Sequence, residues 1–136
     1  MIGGSTATIE YAVAVLGVKH VIVCGHTDCG VMRALLHPET VGDLPAVKNW
    51  MEQAETTRRI IRENYANLKG DELLVTTIQE NVRVQLDHLK THPTVAARVQ
   101  RGALTLHGWV YSIPTGDILT YDDEKGVFVS LVDSVT

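Results

Sequence analysis

The sequence predicts an α/β domain: a mostly parallel central β-sheet flanked by helices, with an antiparallel hairpin near the carboxyl end. Three observations predict it. Residues 21–24 (Val-Ile-Val-Cys) are a short β-branched apolar run between turn-prone residues, which reads as a buried strand. Two long segments, 47–68 and 74–89, carry apolar residues at helical spacing. Residues 103–131 then alternate strand formers with turn chemistry. A length of 136 residues suits a single domain spanning 1–136, with too little chain for two cores.

Taken in order, residues 1–4 are short and Gly-rich, and Ser5 or Thr6 offers a helix cap. Ile9, Ala12, Val13 and Leu16 follow at helical spacing, and Gly17 suits a left-handed stop. The strand at 21–24 is apolar on both faces, as expected of a central parallel strand. A loop over 25–30 leads into a short helix over 31–36, which His37-Pro38 ends, because proline disfavours a helical residue before it. After a loop over 41–45, Val47, Trp50, Met51, Ala54, Ile61, Tyr65 and Leu68 mark one face of a long helix. Its other face carries Glu52, Glu55, Arg59, Arg62 and Glu63, a solvated surface with i,i+4 pairs.

Gly70 separates that helix from the next, whose stripe is Leu74, Ile78, Val82, Leu86 and Leu89 and which ends near His92-Pro93. Thr94 offers a cap for a short helix through Val99, closed by Gly102. Residues 103–113 return to strand. The turn Pro114-Thr115-Gly116-Asp117 joins them to residues 118–121, antiparallel by virtue of the short connection, and residues 127–131 close the fold. The order opens on a helix with no strand before it, whereas a βαβ unit needs strands on both sides. Either a partner chain completes the core or the amino-terminal part of the domain is missing; the second is favoured.

Composition narrows the function classes. The net charge of −4 and the lack of a basic stripe argue against nucleic-acid binding. No apolar run approaches the ~20 residues that span a bilayer, and the start lacks a basic, cleavable secretory signal. Two cysteines five positions apart, Cys24 and Cys29, make no disulfide framework, which points to a reducing compartment.

The chemistry concentrates in Cys24-Gly25-His26-Thr27-Asp28-Cys29-Gly30, at the carboxyl end of a strand, where open α/β sheets place their sites. Imidazole nitrogen and thiolate sulfur are common zinc ligands, and His26 and Cys29 have the His-x-x-Cys spacing for one ion. Alternatively, Cys29 near a helix start is a thiol nucleophile with His26 as its base. The third reading is a buried inert cysteine with a hydrogen-bonded histidine. A Cys-x5-Arg phosphatase loop does not fit, since Gly30 stands six positions after Cys24. Cys24, inside the apolar run, reads as core. Asp28 reads as a cap for the following helix. His107 and Trp109 read as sheet residues, and His20, His37, His88 and His92 as surface or element-end histidines. Glu10 and Tyr11 could face a site from the first helix.

Several blocks together resemble β-class carbonic anhydrases. They are Gly4-Ser5-Thr6-Ala7-Thr8-Ile9-Glu10-Tyr11-Ala12-Val13, the Val23-to-Gly30 segment, Glu80-Asn81-Val82, Leu89-Lys90-Thr91-His92-Pro93 and Leu106-His107-Gly108-Trp109-Val110-Tyr111. Leu44-Pro45-Ala46-Val47-Lys48-Asn49-Trp50 looks most like cyanobacterial or other bacterial members. The resemblance covers nearly the whole chain in the family's order. It implies reversible hydration of carbon dioxide to bicarbonate and a proton on Zn2+, which acidifies a bound water. It implies a homodimer or higher oligomer, and a cytoplasmic location, with a carboxysome or organelle as variants. His26 and Cys29 match the family's second and third zinc ligands, and Gly30 the glycine after that cysteine, beside the substrate.

The sequence departs from the family in one respect. The first zinc ligand belongs to a Cys-x-Asp-x-Arg segment upstream of the Gly4 block, and no such segment occurs in residues 1–136. Cys24, inside the strand, is a poor substitute. The expectation is therefore an amino-terminally incomplete domain, with weak or absent hydratase activity by itself. Two alternatives accompany it: a non-catalytic paralogue that dimerises with a full-length relative, and a carbonyl sulfide or carbon disulfide hydrolase on the same scaffold.

Overall fold

The computed structural model describes residues 2–134; Met1, Val135 and Thr136 of the expected 1–136 domain lie outside the described residues. Helix α1 (Ile2–Glu10) runs into a π-helical turn at Tyr11–Val15, followed by strand β1 (His20–His26) and helix α2 (Gly30–Leu36). A 3-10 turn at Pro38–Val41 leads to α3 (Pro45–Met51), and another at Glu52–Ala54 to α4 (Glu55–Asn64). Then come α5 (Gly70–Lys90), α6 (Pro93–Gln100), β2 (Thr105–Tyr111), β3 (Ile118–Asp122), β4 (Val127–Ser130) and a last helical turn, α7 (Leu131–Ser134). The α/β class is as expected. The sheet is mixed, in the order β1-β2-β3-β4, with β1 and β2 parallel and the β2–β3 and β3–β4 pairs antiparallel.

Helix α5 holds the sheet. Its predicted stripe of Leu74, Ile78, Val82, Leu86 and Leu89 is buried throughout, and Ile78, Val82 and Leu86 join Met32, Leu35, Met51, Ala54 and Val110 in one core cluster. Full burial of each such side chain is worth ~1.5–3 kcal/mol. Two glycines bring the helix close to the strands. An added Cβ on Gly25 would lie 2.9 Å from Val82 Cγ2, and one on Gly108 2.7 Å from Leu86 Cδ1. A second cluster of Val13, Leu89, Val95 and Leu104 ties the α1 end and α6 to the strand starts.

Several local expectations give way to tertiary demands. Ser5 and Thr6 lie inside α1, which starts earlier, so neither holds the cap position expected of them. The π-helical turn, closed by Leu16 N–H to Tyr11 C=O at 3.0 Å, buries Val13 completely and leaves Leu16 exposed, although both belong to the predicted stripe. The single helix expected over 47–68 is two helices with a 3-10 turn between them. In a 3-10 turn residues i and i+3 eclipse, which aligns Met51 and Ala54, both buried in the same cluster. Trp50, expected on the core face, is 49% exposed. Helix α6 starts at Pro93, whose fixed φ suits the first helical position, so Thr94 is interior and His92 takes the cap position. Gly17 and Gly102 do adopt the left-handed backbone expected of helix stops, at φ +66° and +74°.

Strand β1 corrects the reading of a centrally buried strand. It ends the described sheet, pairing with β2 alone, and its residues alternate between exposed and half-buried. Val21 and Val23 face the core clusters, while His20, Ile22, Cys24 and His26 face outward. Cys24, expected in the core, is therefore exposed. Strand alternation puts it on the outer face however apolar its neighbours are.

The candidate metal centre

The strand carries further than the sequence suggests: Gly25 and His26 belong to β1, paired with Val110 and Tyr111 of β2. His26 is thus the last residue of a rigid element, exposed on the outer face. Its Nδ1 lies 2.8 Å from the Thr27 carbonyl oxygen. A carbonyl only accepts, so Nδ1 carries the proton and Nε2 keeps its lone pair for a ligand. Metal-ligating histidines are usually oriented in this way by an outer partner.

Thr27, which sequence reasoning did not single out, anchors the loop. Its N–H donates to Tyr111 C=O at 2.9 Å, and its hydroxyl accepts from Ile113 N–H at 3.0 Å. Asp28 has a left-handed backbone, φ 54°, a conformation Asp tolerates better than most residues. The expected Asp28 cap is not made. Cys29 holds the cap position of α2 without a side-chain hydrogen bond, and the Asp28 carboxylate pairs with Arg33, whose Nε donates at 3.1 Å. The turned backbone directs the carboxylate to a guanidinium within the loop-helix unit.

Cys29 is half-buried against the larger core cluster. Gly30 opens α2 with exposed backbone, and nothing lies within 4 Å of an added Cβ. Cys24 shares the outer face of β1 with His26, and its Sγ donates to the Gly25 carbonyl at 3.4 Å. Glu10 and Tyr11 are both exposed on the first helical segment. His107 and Trp109 lie on β2 as expected, and His20, His37, His88 and His92 stand at or near element ends.

A cleft of about 260 Å³ adjoins the strand end, lined by Val23, Cys24, Gly25, Trp50, Gln53 and Asn81 among others. Its polar wall is organised by Asn81, whose Oδ1 accepts from Thr57 Oγ1 at 2.8 Å and Gln85 Nε2 at 3.3 Å. Gln85 is one turn from Asn81 on α5, but Thr57 sits on α4, so no local pattern could have brought Thr57 to Asn81. A larger cleft of about 420 Å³, with Ser5, Ile9, Glu52, His88 and His92 in its wall, is lined by neither His26 nor Cys29. The smaller cleft is not lined by His26 or Cys29 either, but it reaches Cys24 and Gly25, the strand residues just before His26.

The donor types and the His26 tautomer suit zinc, but their number does not. Among the described residues no three His, Cys, Asp or Glu side chains are placed to hold one metal ion. Catalytic zinc takes three protein ligands, so no reaction step is assigned to a metal held by His26 and Cys29 alone. No helix among the described residues is long and apolar enough to cross a membrane.

Comparison with known proteins bears on the family and the fold. The profile of the family described as carbonic anhydrase matches residues 2–118. A carbonic anhydrase of Synechocystis sp. is 41% identical over 129 residues, covering 94% of this chain and 47% of that protein. One from Pseudomonas aeruginosa is 44% identical over 133 residues, covering 96% and 59%. The structure of the β-carbonic anhydrase CcaA superposes with a TM-score of 0.90 at 41% identity, over 94% of this chain and 63% of that one. A tetrameric β-carbonic anhydrase of Sordaria macrospora gives 0.78 at 29% identity, over 93% and 61%. The chain spans about half the length of the first of these curated relatives. Agreement of fold and sequence over nearly all of its residues places this chain in the carbonic anhydrase family, among the β-class members.

Proposed function

We propose that this chain carries the His26 and Cys29 side of a zinc centre for the reversible hydration of carbon dioxide to bicarbonate and a proton. The observation that supports it is the His26 ring, whose Nδ1–H is committed to the Thr27 carbonyl at 2.8 Å, leaving Nε2 free three residues from the Cys29 thiol. When bound, zinc supplies the Lewis acidity that makes a nucleophile of water at neutral pH. The chain's own residues hold and orient. Thr27 pins the loop to the end of β2, and the Asp28–Arg33 pair ties the loop to α2. Gly30 leaves bare backbone beside Cys29 for the substrate.

With two donors, the chain alone retains zinc weakly and hydrates carbon dioxide slowly or not at all; the third ligand comes from outside the described residues. The test is zinc content by elemental analysis together with stopped-flow hydration on this chain. Zinc well below one per chain after dialysis is expected, with His26→Ala and Cys29→Ala abolishing residual uptake. One tightly held zinc per chain with full turnover would overturn the reading.

The outer sheet face favours a second reading, association with another subunit. Ile22, Tyr111 and Val127 are 45%, 39% and 50% exposed there, and the Sordaria relatives are described as tetrameric. A homodimer or a pairing with a full-length relative would cover these residues. Light scattering and co-purification distinguish the two, and a monomer that captures no relative would exclude both.

A further inference from the structure

A second group of metal-ligating side chains lies at the other end of the same strands. His20 opens β1 and His107 stands on β2, two residues further along the register than the Thr105 that pairs with His20. Their rings lie with centroids 5.2 Å apart and planes inclined by 36°, and His20 Nδ1 is 3.0 Å from His107 Nε2. Among the described residues neither ring makes another hydrogen bond. His20 is exposed and His107 half-buried, so the pair opens to solvent from one side.

From this geometry we infer that His20 and His107 form a two-imidazole site for a divalent transition-metal cation, separate from His26 and Cys29. Metal–nitrogen bonds of ~2.0–2.1 Å bring two adjacent ligand nitrogens to about 2.9–3.4 Å of each other, from a right-angled to a tetrahedral bite. The observed separation falls inside that range. The cation replaces the single proton the two nitrogens share, and each ring turns to aim its lone pair at the metal. Imidazole suits zinc, copper and nickel, and water completes the coordination on the open side. The backbone fixes the bite, because both histidines sit on hydrogen-bonded neighbouring strands and little side-chain freedom remains to be lost on binding. Burial, and then the neighbouring His20 ring, hold His107 below the ordinary histidine value. It therefore stays neutral, with a lone pair available, at pH 7.

Ni2+ is the probe, because it leaves the thiols unoxidised. Calorimetric titration of the whole chain, and of the His26→Ala, Cys29→Ala double variant, should show one Ni2+ step per chain common to both. His20→Ala and His107→Gln should each weaken that step by at least the roughly tenfold lost when even an outer partner of a metal ligand is removed. In wild-type chain, paramagnetic Ni2+ should broaden the His20 and His107 ring resonances before those of His37, His88 and His92. The NMR measurement needs no substitution and stands even where a variant folds poorly. Unchanged Ni2+ binding in both histidine variants, loss of the step in the double variant, or broadening centred on other histidines would overturn the assignment.

Discussion

Gly108→Ala tests how α5 is seated on the sheet. An added methyl would stand 2.7 Å from Leu86 Cδ1, 2.9 Å from Val82 Cγ1 and 3.5 Å from Tyr121 Cβ. Carbon atoms rest at ~3.5–4.0 Å, so the first two contacts must each open by about 1 Å. Leu86 Cδ1 is the end of a flexible side chain and can swing. Val82 is different: it is 2% exposed, and a β-branched residue in a helix is largely confined to one rotamer. Relief therefore requires α5 to lift from β1 and β2, or Val82 to leave its rotamer. Overpacking of this kind costs ~1–3 kcal/mol. Against it stands the ~0.4–1 kcal/mol gained by restricting the unfolded chain, available here because Gly108 has no positive φ. The clash wins, by about 0.5–2 kcal/mol. Urea unfolding followed by far-ultraviolet circular dichroism should show a lower midpoint at unchanged slope. Gly4→Ala is the control, a helical glycine whose added Cβ meets nothing within 4 Å; it should stabilise. In a Val82→Ala background the cost of Gly108→Ala should shrink, leaving the Leu86 contact. A Gly108→Ala chain as stable as wild type, or equally destabilised with and without Val82, would refute this seating.

Two further outcomes follow from polar groups. Tyr65 donates to the buried Glu80 carboxylate at 3.3 Å, and the Glu80 charge holds the Tyr65 phenol above its ordinary value. The folded state thus keeps a proton that the unfolded chain releases, so stability should fall as pH rises through about 10. Glu80→Gln should bring the Tyr65 titration, read by ultraviolet difference absorbance, back toward the ordinary range; an unchanged titration would remove Glu80 as the cause. Cys24 is exposed whereas Cys29 packs against the core. Brief iodoacetamide treatment of the reduced chain should label Cys24 first, as read by peptide mass mapping, and faster labelling of Cys29 would contradict the assigned face of β1.

Much of the site was legible because it is local. His26, Cys29 and Gly30 lie within five consecutive positions, and glycine, strand run and helix start mark that span in the sequence itself. The α5 stripe was equally plain, since helical spacing and burial coincide over its whole length. Thr27, Asn81 and Gln53 were not legible. Thr27 matters through the end of β2, more than eighty residues away in the chain, and Asn81 matters through Thr57 on another helix. Asp28 met a competing demand: a cap and an ion pair both suit its carboxylate, and its backbone turn favours Arg33.

What the sequence by itself determined are the properties set within a few residues: the helix stops at Gly17 and Gly102, the amphipathic stripe of α5, the strand core at 21–24, and the donor pair of the loop. Each follows from backbone freedom, side-chain period or ligand chemistry, all encoded locally. The tertiary structure decided which way β1 faces. An apolar run such as Val-Ile-Val-Cys alternates its side chains regardless of composition, and the docking of α5 onto Gly25 and Gly108 chooses which set is covered. That choice turned Cys24 outward, placed His20 beside His107 and set His26 at the open end of the strand.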